Sequence, residues 1–369
     1  MTVGVGVSPS NQRLAVLLPD LGGGGAERVA LALMQGFVER GHPVDLVLVN
    51  RRGVLLPLVP EDVNIVDLGA RKLRQVIPPL VRYLRQYQPH ALQAMMWPLP
   101  LLAVIARKLA RVDTRIIGSE HTTLSTMPHG LRHPAVRAIT RQAYLSADAL
   151  VAVSAGVADD LASFVGVPRH KVAVIYNPLL LPDRLPDAQQ MAARWPADTK
   201  RILAVGALKS EKNYPLLLRA FALVRQHVNA SLLILGDGPL RGVLEQQVSD
   251  ENLTDSVVFV GFETDPWPYY AAAHLFVLSS DFEGFGNVLV EAMHAGLPII
   301  STDCPNGPRE ILMDGEFGTL ICCGDEKALA EAIEHDLREP ALPADQYQRS
   351  HALSGTEAID KHMAIMRGP

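Results

Sequence analysis

Short, almost wholly apolar runs alternate with helical stretches along nearly the whole chain, in two successive series. The first holds RLAVLLP, a helix over 26–40, PVDLVLV, HALQAM, a helix near 99–110, TRIIGS, a helix near 131–146, ALVAVS and KVAVIYNP. The second holds RILAVG, a helix over 213–227, SLLILGDGP, a helix near 239–249, SVVFVG, HLFVLSS, a helix after Gly286, LPIIST and a last helix–strand–helix stretch. Runs that are apolar at successive positions are buried on both faces, the pattern of a parallel sheet covered by crossover helices. A chain of 369 residues is also too long for one comfortable core. The expectation is an α/β protein of two Rossmann-like, doubly wound domains facing across a cleft. Residues 1–178 and 201–353 form the domains, and 179–200, broken by Pro182, Pro186 and Pro196, reads as their linker.

Composition narrows the class. Hydrophobic residues make up 48% and charged residues 20%, as in soluble globular proteins. The three cysteines, Cys304, Cys322 and Cys323, have neither metal-ligand spacing nor an even disulfide framework, which suggests a reducing compartment. The opening MTVGVGVSPSNQ lacks a charged and then apolar leader, so no signal peptide is expected. The longest apolar run, ALQAMMWPLPLLAVIA, has 16 residues with Gln93 and two prolines inside, too short and interrupted to span a bilayer. A cytoplasmic protein with no nucleic-acid partner follows as the expectation.

Strand ends carry the glycines: Gly22–Gly25, Gly206, Gly236 with Gly238, and Gly284 with Gly286. Doubly wound sheets bind ligands at those ends. None of the clusters completes Gly-x-Gly-x-x-Gly, and no Gly-Lys-Ser/Thr phosphate loop is present, which argues against a nicotinamide enzyme and a P-loop ATPase. Four consecutive glycines carry an entropic penalty that a plain turn avoids, so Gly24 and Gly25 read as a close backbone approach to ligand.

The stretch DFEGFGNVLVEAMHAG, Asp281 to Gly296, is the most specific. A glycine turn from strand to helix, Gly284-Phe285-Gly286-Asn287, suits an anion. Two carboxylates, Glu283 and Glu291, flank it. A nucleotide-sugar resolves the conflict: its diphosphate meets backbone amides, while hydroxyls on either side meet carboxylates.

With this Glu-x7-Glu signature the chain resembles glycosyltransferase family 4. The match runs through FEGFGNVLVEAMHAGLPIISTDCPNGPREIL and is supported by LGGGGAERV, SEHTTL, VAVSAGVADDL, VIYNP, LKSEKNY and LILGDGPL in family order. The resemblance implies a GT-B fold, a nucleotide-diphosphate sugar donor, with a UDP-sugar favoured, and transfer with retention of anomeric configuration. It implies that Glu283 contacts the donor sugar, Glu291 the ribose and Lys212 the diphosphate, with His121 beside the transferred sugar. Gly206, Lys209, Gly284, Phe285, Gly286 and Asn287 complete the expected donor site. The last helix, about 354–366, is implied to cross back to the N-terminal domain. CPNGPREIL resembles members that build lipid-linked glycans or lipopolysaccharide. One position departs: the family's Gly-Arg-Leu stands here as Gly206-Ala207-Leu208, leaving Lys209 to substitute for the arginine. Asp281-Phe282-Glu283 is also a short relative of an Asp-x-Asp metal motif, but the longer motif explains Glu283 better, so neither a metal nor a cofactor is expected. The alternatives are a nucleotide-sugar epimerase of the same fold and a non-catalytic, glycosyltransferase-like binding subunit.

Charge divides the chain as the domains do. Up to Pro178 there are 19 Lys and Arg against 12 Asp and Glu, a balance of +7. The remainder has 15 against 27, a balance of −12. Arg107, Lys108 and Arg111 follow the apolar Met95-Met96-Trp97 turn. With Trp97 they are the expected face toward a lipid-linked acceptor or the anionic inner surface of the cell membrane, with a solvated basic face as the plain alternative.

Overall fold

The computed structural model describes residues 12–72, 75–126 and 131–368; residues 1–11, read above for a targeting signal, lie outside them. The chain divides into two compact units. The first runs to Leu179 and takes in the chain from Gly355 onward, and the second is Leu180–Ser354.

In the first unit the elements follow as β1 (Leu14–Leu18), α1 (Gly25–Glu39), β2 (Val44–Leu48), β3 (Val63–Asp67), α2 (Ile77–Tyr87), β4 (Ala91–Met95), α3 (Leu99–Ala110), β5 (Arg115–Glu120), α4 (Pro134–Leu145), β6 (Ala149–Ala152), α5 (Ala155–Asp160) and β7 (Val172–Val174). Among the described residues these strands make a parallel sheet in the order β3-β2-β1-β4-β5-β6-β7. β1, β2 and β4 are buried along their whole length, β1 as a continuous apolar run and the other two with one buried polar residue each, Asp45 and Gln93. Winding reverses between β1 and β4, which pair from Leu14 with Ala91.

The second unit continues with α6 (Gln189–Ala192), β8 (Lys200–Val205), α7 (Tyr214–Val224), β9 (Ala230–Leu235), α8 (Arg241–Asp250), β10 (Val257–Gly261), α9 (Trp267–Ala272), β11 (Leu275–Leu278), α10 (Asn287–His294), β12 (Ile299–Thr302), α11 (Pro308–Ile311), β13 (Thr319–Ile321), α12 (Glu326–Arg338) and α13 (Gln346–Ser354). Its sheet order, β10-β9-β8-β11-β12-β13, is the doubly wound order with its switch between β8 and β11. Tyr214, Leu217, Phe221 and Val224 of α7 pack against Ile202, Leu232 and Ile234 to form one side of the core.

The stretch 180–200 is part of this unit rather than a free connector. It carries α6, and Trp195 is 3% exposed with its indole N–H donated to the Ile202 carbonyl at 3.3 Å. An aromatic ring of that size buried beside β8 outweighs the loop character of the three prolines.

The last helix, α14 (Thr356–Arg367), belongs to the first unit. Gly36 on α1 makes its seat: a Cβ there would lie 2.6 Å from Ile359 Cδ1. Arg40 pairs with Asp360 at 2.7 Å, and buried His362 meets Gln93 Oε1 of β4 at 3.2 Å.

Candidate active site

The switch between β8 and β11 is where a doubly wound sheet opens to ligand. The segments leaving those two strands hold the residues the sequence singles out. After β8 the chain passes Gly206 and turns through a single 3-10 turn, Ser210–Lys212. After β11 it runs Ser279 to Gly286 into α10. Ser279 Oγ donates to the Lys212 carbonyl at 2.9 Å, and the Asp281 N–H donates to the Glu211 carbonyl at 2.8 Å. Asn213 Nδ2 donates to Asp281 Oδ1 at 2.8 Å. The two segments are thereby laced together before any ligand arrives.

Within that lacing Lys212 Nζ stands 2.6 Å from Glu283 Oε1, and Ser280 Oγ donates to the same oxygen at 2.6 Å. The two charged side chains are only 18% and 10% exposed. Removal from water weakens both groups unless each is paired, so this geometry is held tightly. Lys209 begins the turn and is exposed, while Ala207 occupies the place of the family's arginine.

Gly286 caps α10 with φ 101°, a left-handed conformation that glycine adopts without strain, and it offers no side chain to the first-turn amides. The helix dipole adds positive potential there. The Phe285 ring is 2% exposed and packed inside, so the residue meets the turn through its backbone, the group the sequence reading assigns to the diphosphate. That backbone is closely backed by Gly307, where a Cβ would fall 1.7 Å from the Phe285 carbonyl oxygen. Glu291 lies one turn into α10, is 8% exposed, and accepts the Tyr270 phenol proton at 2.8 Å on Oε2.

The first unit contributes a separate group at the ends of its own strands. His121 follows β5, its Nε2 3.0 Å from Ser119 Oγ, and its Nδ1 is buried with no hydrogen-bond partner among the described residues. Burial, and then the neighbouring His362, lower its pKa to about 3, so the ring is neutral near pH 7. Glu120, 1% exposed, accepts from the Tyr144 phenol and, at 3.1 Å, from the Trp97 backbone N–H. Burial raises its pKa to about 7 against those two bonds, which favour the ionised form. Gly24 is the N-cap of α1 and Gly25 its first residue; Gly23, at φ 104°, is the position that requires glycine.

The expected acceptor face is reduced. Arg107 pairs with Asp148 and donates to the Ser146 carbonyl at 2.8 Å, which ties α3 to the segment before β6. Trp97 is partly buried with its indole N–H toward Thr140 Oγ1 at 3.3 Å. Lys108 and Arg111 are exposed, and Leu109 between them is 54% exposed.

Known proteins match this chain along most of its length. The family profile described as Glycosyltransferase Family 4 matches residues 23–179, and that described as Glycosyl transferases group 1 matches residues 187–352. The chain belongs to glycosyltransferase family 4. It is an enzyme, a glycosyltransferase of GT-B fold. It is 28% identical to N-acetylgalactosamine-N,N'-diacetylbacillosaminyl-diphospho-undecaprenol 4-alpha-N-acetylgalactosaminyltransferase of Campylobacter jejuni, over 95% of this chain and 96% of that protein. It is 26% identical to the lipopolysaccharide 1,6-galactosyltransferase of Escherichia coli K12, over 70% and 69%. The crystal structure of Anabaena HepE in complex with UDP and glucose superposes with a TM-score of 0.81 at 20% identity, covering 95% and 98% of the two chains. That likeness shows the fold.

The motifs point to Lys212, Glu283 and Glu291 but not to Ser280, Asn213 and Tyr270. Ser280 is legible as a polar group just after β11, and Asn213 as a helix cap before Tyr214-Pro215. Tyr270, 21 residues before Glu291, has no spacing signal.

The buried groups of the first unit set a pH dependence. Between pH 4.5 and about 7 the folded chain keeps a proton on Glu120 that the unfolded chain releases. This contribution is full below pH 4.5 and is lost as pH rises through 7. His121 and His362, lowered to about 3 and about 4, act oppositely: unfolding protonates them below about 6.5, so their contribution grows as pH rises toward that value. Glu120→Gln removes only the first effect. The Tm of the variant is expected to climb more steeply than wild type between pH 4.5 and 6.5; parallel Tm profiles in scanning calorimetry would contradict a protonated Glu120.

Proposed function

We propose that this glycosyltransferase moves a sugar from a UDP-sugar to a lipid-linked glycan or lipopolysaccharide acceptor, with retention and without a metal ion. The observation that carries the reading is the Lys212–Glu283 pair at the β8/β11 switch, with Glu291 on the helix that follows. A nucleotide-sugar has a doubly charged centre between two hydroxyl-rich ends, and this site alternates in the same way. Lys212 and the first-turn amides of α10 meet the diphosphate, Glu291 accepts from the ribose and Glu283 from the sugar. The UDP and glucose bound by HepE, and the galactosyl and N-acetylgalactosaminyl transfers named for the two relatives, support this donor class.

Cleavage of the sugar–phosphate bond places negative charge on the leaving diphosphate. A cation and backbone dipoles already fixed there stabilise that charge without reorganising, which is the main electrostatic source of rate. Lys209 supplies a second positive charge in place of the arginine absent at Ala207. In the first unit, neutral His121 serves the transferred sugar as a hydrogen-bonding group rather than as a cation. The acceptor attacks on the face the diphosphate leaves, so the anomeric configuration is kept.

The built-in charge supports the metal-independent reading, since Lys212 pairs with Glu283 and Asn213 donates to Asp281. Transfer from a UDP-sugar to a glycan acceptor in excess EDTA is expected to stay within about twofold of the untreated rate. A loss restored by manganese or magnesium would contradict the proposed charge balance. UDP release without any acceptor would favour an epimerase or hydrolase instead.

A peripheral place at an anionic membrane fits the acceptor. Among the described residues no helix is long and apolar enough to cross a membrane. Lys108 and Arg111 bracket exposed Leu109, whose carbonyl accepts from Arg85 at 2.9 Å, so charge and apolar surface meet at one helix end. Each basic residue at an anionic leaflet contributes about 1 kcal/mol. Sedimentation with phosphatidylglycerol vesicles is expected, weakened by about 0.5 M salt and by Lys108→Glu with Arg111→Glu. Equal recovery with neutral vesicles would leave a water-soluble acceptor as the better account.

A further inference from the structure

Glu291 is almost wholly buried, and a carboxylate in that setting needs hydrogen bonds to stay ionised in one orientation. The Tyr270 phenol, itself fully buried, lies 2.8 Å from Glu291 Oε2 and 3.5 Å from the Val288 carbonyl. A phenol has one proton, and it goes to the nearer and charged acceptor. Tyr270 is in turn held as a rigid strut. Its ring packs against Trp267 of its own helix at 5.6 Å and Phe276 of β11 at 5.8 Å. Trp267 meets His294 edge-on at 5.4 Å, one turn beyond Glu291 on α10, and His294 Nε2 lies 2.9 Å from the Pro182 carbonyl. α9 and α10 are therefore clamped at two successive turns, with the Glu291 carboxylate at one of them.

We infer that Tyr270 is a positioning residue for donor binding, orienting the Glu291 carboxylate toward the ribose of the nucleotide through the buried Tyr270–Glu291 hydrogen bond. Tyr270 does not itself touch the donor. The inference rests on the ribose role proposed for Glu291. Loss of the phenol oxygen leaves the ring packing in place but removes a hydrogen bond that orients the carboxylate, so the damage falls on the ribose contact.

The test is calorimetric titration of UDP and of 2',3'-dideoxy-UDP into wild type, Tyr270→Phe, Glu291→Gln and the double variant, with donor KM and kcat measured alongside. Tyr270→Phe is expected to weaken UDP about tenfold, the low end for a hydrogen bond to a charged group. It should leave the dideoxy nucleotide within about twofold and raise donor KM more than it lowers kcat. The double variant should bind UDP no more weakly than Glu291→Gln, because two residues acting through one contact are not additive. Equal weakening of both nucleotides by Tyr270→Phe, full additivity in the double variant, or unchanged UDP affinity would overturn the positioning role while Glu291→Gln still separates the two nucleotides. If Glu291→Gln itself fails to separate them, the ribose contact is wrong and the proposal falls with it.

Discussion

The salt bridge between Lys212 and Glu283 is the interaction on which the rest of the second unit depends. It joins the segments leaving two neighbouring strands that are far apart in sequence, and it does so at the place where the sheet's winding reverses. A lysine and a glutamate so little exposed would each be strongly destabilising alone, so neither segment can move away without leaving a buried charge behind. Ser280, Ser279 and Asn213 hold the same two segments through neutral and charge-assisted bonds. In the proposed function the pair also holds the Lys212 cation where the diphosphate is expected.

The first unit is organised on a different principle. Its strand ends bury titratable groups whose charged forms are disfavoured, with Glu120 raised to about 7 and His121 and His362 lowered to about 3 and about 4, each chiefly by burial. The two histidines are neutral near pH 7, so they carry directional hydrogen bonds without long-range charge. His362 reaches Gln93 from α14, so the end of the chain braces the strand next to the one that leads into His121. Gly36, by omitting a side chain, is what lets α14 come that close.

Much of this was legible in the sequence, and the exceptions have physical causes. β1, β4 and β9 are buried along their whole length and therefore read as largely apolar runs, interrupted only by Gln93 in β4 and Ser231 in β9. β3 sits at the sheet edge, where VNIVD has Val63 buried but Asn64 and Asp67 exposed, so no such run exists. α2 opens with Pro78 and Pro79, which its unbonded first turn tolerates but which read as a loop. Glu283 and Glu291 are legible because their spacing is tied to a turn of fixed length, and Lys212 through the separate LKSEKNY stretch. Arg107 was misjudged because its partner, Asp148, comes from a distant segment. Tyr270 escaped for the same reason, since a hydrogen bond between separate helices leaves no periodic trace.

The most direct test of this account is to replace Lys212 with methionine, which keeps the length of the side chain and removes its charge. UDP and uridine binding and the rate of transfer from a UDP-sugar would then be measured together. If Lys212 stabilises the diphosphate more in the transition state than in the ground state, transfer should fall by about 100-fold or more. UDP affinity should fall less than that, and uridine affinity should hardly change. A transfer rate close to wild type, or equal weakening of uridine and UDP, would contradict the claim that the Lys212–Glu283 pair is the electrostatic centre of the reaction.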